Sequence, residues 1–165
     1  MLSRDHAELD RYVRTLLSSE VFEKEWWQAL DGARLAFAAH AEASERVLNH
    51  VLAYTPTLRG QPVDSVLVSH RAQEELLHRL SRNRTDRVQA SEDAIQLRAH
   101  LLTHDEHERL ILFPALRRAL EDDEYQRLAG LYAKERVNAL GQMRTVTVRT
   151  IEPPAPRPDT DIGLG

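Results

Sequence analysis

The segment HDEHERLILFP, from His104 to Pro114, concentrates the residue types best suited to chemistry. Written on a helix, it sets His104 and Glu108 four residues apart on one face, with Leu101 and Ile111 above and below them on that face. An imidazole and a carboxyl in a seam that should be apolar are each costly unless paired, protonated or bound to something. Three more histidines, His6, His40 and His70, take inward positions in the helical patterns that precede this one, and Glu74 follows His70 by one turn. Imidazole and carboxylate converging inside a helical protein form a ligand set for iron, manganese or zinc. An oxygen-rich calcium site would not use so much histidine.

The elements that must place these residues read as helices. Glycine is sparse, and Leu, Ala, Arg and Glu dominate. A first pattern, from about Ser3 to Ser19, carries Leu2, His6, Leu9, Val13 and Leu16 at helical spacing, with Ser3 as N-cap. A second runs from near Lys24 to Tyr54, with Leu30, Ala33, Phe37, His40, Ser44, Val47 and Val51 inward, and stops before Pro56. A third follows the Gly60-Gln61-Pro62 break and reaches about Ser81, with Val63, His70 and Leu77 inward. The fourth, capped by Ser91 or Thr85, reads Ala94, Leu97, Leu101, His104, Glu108, Ile111, and Pro114 kinks or ends it. A short fifth helix spans about Asp122 to Leu140, carries Leu128, Leu131 and Leu140, and ends at Gly141.

These patterns predict an all-α fold, an antiparallel up-down-up-down four-helix bundle with a short C-terminal fifth helix. The expected domain is residues 1–141. Residues 142–165, with little apolar content and several prolines, read as a flexible tail that could bind a protein partner. The four histidines stand about 11 to 15 residues from the end where the first two helices connect and the last two connect. At roughly 1.5 Å of rise per residue they fall within about 6 Å of one level. Convergence on a metal would explain the polar seam.

Composition narrows the function. A net charge of -4 with interleaved signs offers no cationic face for nucleic acid or anionic membranes. Only Lys24 and Lys134 are lysines, a bias toward arginine that points to a GC-rich, bacterial-type genome rather than to phosphate binding. No cysteine is present, which excludes disulfides, thiolate metal sites and thiol catalysis. The N-terminus lacks the apolar core of a signal peptide and no run approaches membrane-spanning length, so a cytoplasmic location is the expectation. Trp26 and Trp27 open the second helix, where they can cap the core or form a homodimer contact. His100 and His107 flank the fourth-helix stripe, while His50 and His78 lie off the inward stripes.

Three segments, DHAELDRYVRTLL, FAAHAEASERVL and HLLTHDEHERLILFP, resemble the first, second and fourth helices of the hemerythrin-like family, the HHE cation-binding domain. The last resembles the family element H-x-x-x-E-E-x-x-L-F-P at His104, Glu108, Leu112, Phe113 and Pro114, with Arg109 in place of the second Glu. SHRAQEELLHRL is similar to the family's third-helix histidine region. The likeness covers about residues 1–140. It implies a bundle holding non-haem iron, two ions or one, with zinc or manganese as alternatives. It also implies a small diatomic or peroxide ligand, with roles in sensing or reacting with oxygen, peroxide or nitric oxide, or in handling iron.

By this resemblance His6, His40, His70, His104 and Glu108 fall where family ligands fall. The second helix departs from the pattern, because Ser44 stands where a bridging Glu is expected and Glu45 lies about 100° around the helix. Glu74 stands where oxygen carriers have a histidine, which makes simple reversible oxygen carriage the weaker expectation. Whether the chain is an enzyme stays open at this point. Ser44 also leaves two alternatives: a metal-depleted bundle acting as a protein-interaction module, and a mononuclear iron or zinc site.

Overall fold

The computed structural model describes residues 2–150, with the side chains of residues 4–60 and 62–143. Among these residues all regular structure is helical: α1 (Leu2–Ser18), α2 (Lys24–Tyr54), α3 (Gln61–Arg82), α4 (Arg87–His107), α5 (Phe113–Ala119) and α6 (Asp122–Thr150). A 3₁₀ turn at Pro56–Leu58 joins α2 to α3, and a π-helical turn at Glu108–Leu112 joins α4 to α5. Among the described residues no helix is long and apolar enough to cross a membrane.

Local chemistry sets the boundaries. Thr55 precedes Pro56 and leaves the helical region, closing α2. Gly60 adopts φ 108°, a conformation open to glycine at little cost, and Pro62 occupies the first turn of α3, where its missing N–H is harmless. Asp86 caps α4 by accepting from the Gln89 amide at 2.9 Å. It takes the place expected of Ser91 or Thr85. The Ser91 hydroxyl donates instead to the Arg87 carbonyl, and the Thr85 amide donates to Asn83 Oδ1. α1 begins at Leu2, so Ser3 lies inside it rather than capping it.

α1 packs against α2 and α4, and α3 against α2 and α4, so four helices close a ring; α6 lies along α2 from outside. Two large apolar clusters fill most of the interior, beside a small third one of Ala43, Val47 and Tyr132. One gathers Leu9, Val13, Leu16, Trp26, Leu30, Leu80 and Leu97, and the other Leu48, Val51, Val63, Val66, Leu112 and Leu116. Along α2, along α3, and from α4 into the π turn, the chain passes from one cluster to the other, with buried polar residues between the two. These are His40 and Ser44 on α2, His70 and Gln73 on α3, and His104 with Glu108 at the end of α4.

Three expectations are corrected. Pro114 neither ends nor simply kinks the fourth helix; it sits in the first turn of α5, which follows the π turn. The last helix is not short, for α6 has 29 residues and runs through Gly141 to Thr150. The expected tail at 142–165 is therefore helical as far as Thr150, and residues 151–165 lie outside the described residues. The inward register also changes beyond Glu108. The Phe113 amide bonds back to the Glu108 carbonyl, five residues earlier, and the widened turn buries Leu112 and Leu116 while Ile111 is 37% exposed.

The α1–α2 connection carries an aromatic cluster. Phe22 has φ 72° and stacks on Trp27 at 5.7 Å, with Trp26 fully buried edge-on to both. The Arg84 guanidinium covers the Trp27 ring at 4.3 Å. Both tryptophans thus pack within the chain.

Candidate metal centre

His6 from α1, His40 from α2, His104 from α4 and Glu108 from the π turn form a buried group that could hold a metal ion, each offering one ligand atom within 4.8 Å of the others. Glu108 Oε2 lies 3.3 Å from His6 Nε2, Glu108 Oε1 3.4 Å from His104 Nε2, and His40 Nε2 3.3 Å from His104 Nε2. His70 from α3 joins from the side, its ring centre 4.8 Å from that of His104 and 5.4 Å from that of His40.

The outer nitrogens of three of these rings are tied to oxygens on other helices. His6 Nδ1 donates to Asp105 Oδ1 at 2.7 Å, His70 Nδ1 to Glu45 Oε1 at 3.3 Å, and His40 Nδ1 to the Tyr132 hydroxyl at 2.9 Å. Tyr132 donates its own proton to Asp5, which also forms an ion pair with Arg136, its Oδ2 2.8 Å from Nε. The phenol must therefore accept from His40, which places that ring's proton on Nδ1. In each neutral ring a proton on Nδ1 leaves the Nε2 lone pair toward the interior, the tautomer a metal-bound imidazole needs.

Inside, several polar atoms have no hydrogen-bond partner: Nε2 of His6 and His70, Nδ1 of His104 and both oxygens of Glu108. Leaving such groups unsatisfied costs roughly 1–3 kcal/mol each. Burial, then the neighbouring His6, His70 and His104, hold the His40 pKa well below the ordinary histidine value. Burial likewise lowers that of His70, although Glu45 opposes the shift. The hydrogen bond from His70 lowers the Glu45 pKa. Burial first, and then Asp5, push the Tyr132 phenol far above its usual range, so it remains a donor.

The carboxylates expected beside Glu108 are not in this group. Glu74 is exposed, and Gln73 takes the inward place on α3, fully buried, with its amide on Ser69 Oγ at 3.0 Å. The two residues are adjacent, and the third-helix stripe did not distinguish them. Glu45 is 44% exposed and touches the centre only through His70. Ser44 is buried and lines a cavity beside Glu108. His107 binds the Pro62 carbonyl at 3.2 Å, while His50, His78 and His100 are exposed.

Asp5, Asp105, Tyr132 and Arg136 escaped the sequence reading. Asp5 and Asp105 each sit beside an inward histidine, a signal that was present: an acid one residue from His6 and one from His104. Tyr132 left no such signal, because its role depends on α6 lying against α2. The chain gives no match to any family model, curated protein or solved structure.

Proposed function

We propose that this chain is a hemerythrin-like metalloprotein, an up-down-up-down bundle that binds non-haem iron and uses it to sense or react with oxygen, peroxide or nitric oxide, or to handle iron. The carrying observation is the pairing of unsatisfied inner atoms with satisfied outer ones. His6 and His70 present buried Nε2 atoms without partners, beside a fully buried Glu108 whose two oxygens also lack them, while oxygens on neighbouring helices occupy each ring's Nδ1. A polar network built for stability alone would satisfy those inner atoms. A bound cation would take up the inner atoms of His6 and Glu108 together, with His70 beside it as a further donor. The order in which the helices cross the two apolar clusters supports the alternating bundle.

Imidazole with a carboxylate suits iron, and also zinc or manganese. A specific observation favours one ion over two. The four ligand atoms that lie close together come from His6, His40, His104 and Glu108, and Ser44 and Gln73 stand where further carboxylates would serve a second ion. His70, with Glu45 behind it, is the remaining donor.

The reading is tested by expressing the protein with added iron, measuring metal per chain by plasma mass spectrometry and recording the absorption spectrum of the same sample. One iron per chain without oxo-bridge bands supports the mononuclear form. Two irons with near-ultraviolet charge-transfer bands support the dinuclear one. A folded chain free of metal under iron, zinc and manganese supplementation would refute both.

A further inference from the structure

One hollow meets the candidate centre at Glu108 and Tyr132, and its other walls are mostly apolar, among them Val47, Leu48, Leu112 and Leu116. Another, between α2 and α3, has a volume of about 400 Å³ and meets the centre at His70. A hydrated divalent cation gives up water only where ligand atoms replace it, so passage along an apolar wall is strongly unfavourable for it. The hollow at His70 offers the polar way in.

Three carboxylates, Glu42, Glu45 and Glu74, line this cleft together with Arg34 and Arg71. Arg34 lies 3.7 Å from Asp31, and Glu42 accepts from Arg46 at 2.5 Å, which leaves Glu45 and Glu74 as an acidic balance against Arg71. Carboxylates by themselves would make no more than a solvated rim. What connects this rim to the interior is His70, which lines the cleft yet is 2% exposed. Its Nδ1 lies 3.3 Å from Glu45 Oε1, its Nε2 is buried without a partner, and its ring centre stands 4.8 Å from that of His104 and 5.4 Å from that of His40. One imidazole thus touches a half-exposed carboxylate on one side and the buried histidines on the other.

We propose that this cleft is the port through which a divalent cation reaches the centre, taken first by Glu45 and passed inward by a turn of the His70 ring. The proposal rests on the cation-binding reading and adds a route to it. Glu45 is then a ligand of the passing ion rather than of the resident one, which explains a half-exposed carboxylate held against a buried histidine. Its charge draws cations to the cleft, an effect that salt screens. A group that stabilises the ion in transit lowers the barrier equally in both directions, so Glu45 governs uptake and release together and leaves the affinity nearly unchanged.

The experiment is stopped-flow uptake of cobalt(II) by the full metal-free chain, followed by its visible absorption, with release measured into excess chelator and final cobalt per chain measured on every sample. Glu45→Gln should slow uptake about tenfold and release by the same factor, and uptake by the parent should slow with added salt. Glu45→Asp keeps the charge and should keep most of the rate. Ala129 lies exposed and lines the apolar hollow, so Ala129→Trp obstructs that hollow and should leave uptake unchanged. Unchanged uptake in Glu45→Gln would overturn the proposal, as would uptake slowed by Ala129→Trp instead. Faster release at unchanged uptake in Glu45→Gln would overturn it too, because Glu45 would then serve to hold the His70 ring in place. A parent protein that takes up no cobalt, zinc, iron or manganese would remove the cation reading as well, and metal content per chain tells the two failures apart.

Discussion

Glu108 has no exposed surface, and neither of its oxygens has a hydrogen-bond partner, so at this residue function and stability oppose each other. Glu108→Gln keeps the shape, removes the buried charge and supplies an amide donor toward His6 and His104. We expect it to stabilise the metal-free fold by roughly 1–3 kcal/mol, read as a higher urea midpoint, and to weaken zinc binding at least tenfold. A metal-free variant less stable than the parent would show that Glu108 is satisfied within the fold. Tyr132→Phe deletes the acceptor on His40 Nδ1 without changing the ring, and should weaken zinc binding by roughly 10–100-fold in competition titrations while the fold persists. His104→Ala should abolish metal binding, whereas His78→Ala, at an exposed position, should retain it. Equal metal content in these two variants would refute the site. Periodicity was enough to place His6, His40, His70, His104 and Glu108 inward, since each lies at i±3 or i±4 from an apolar neighbour. It could not separate Gln73 from Glu74, because a rotation of about 100° lies within the tolerance of a broad apolar stripe.

At the scale of the element, the π turn matters most for the site. It places Glu108 one α-turn from His104 and then shifts the inward face to Leu112 and Leu116. A pattern drawn with 3.6 residues per turn puts Ile111 inward instead, and no residue type marks the extra residue, so this register was not legible. Helix ends were more legible, because proline, glycine and acidic side chains act on the few residues beside them. The arginines around the α3–α4 connection are explained by the folded chain. Arg87 pairs with Glu20 at 3.0 Å, Arg84 covers Trp27, and Arg79 grips Asp93 through Nε at 3.2 Å and through Nη2. Asp93 is 1% exposed and also accepts from Gln89 at 3.0 Å, so Arg79 compensates a carboxylate buried between α3 and α4. Arg79→Ala should cost about 3 kcal/mol, the low end for breaking a buried pair because the arginine itself is half exposed. For a domain of this size that lowers Tm by roughly 6–12 °C, with metal stoichiometry unchanged. A shift under about 2 °C would mean that Asp93 finds water once the arginine is gone.

For the molecule as a whole, protons and a cation compete for the same nitrogens, which couples folding, pH and metal. The folded-state pKa values of His40 and His70 are lowered from 6.5, while in the unfolded chain both titrate near that value. Below about pH 6.5 the unfolded chain therefore binds more protons than the folded one, and stability falls as pH falls. Each histidine that stays neutral on folding contributes a slope of up to about 1.4 kcal/mol per pH unit, and above pH 7 that slope vanishes. The metal-free protein should accordingly be stable and nearly pH-independent from pH 7 to 8 and lose stability steadily from pH 6.5 downward. Bound zinc should raise stability by RT ln(1 + [Zn]/Kd), about 2.7 kcal/mol at a hundredfold excess over Kd, and the gain should shrink at acid pH as protons displace the ion. Urea unfolding at a series of pH values, with and without zinc, measures both effects. Two curves with the same shape and a constant offset would mean that the cation binds away from the histidines. Convergence of the curves toward low pH ties the metal to the imidazoles that hold the two apolar clusters apart.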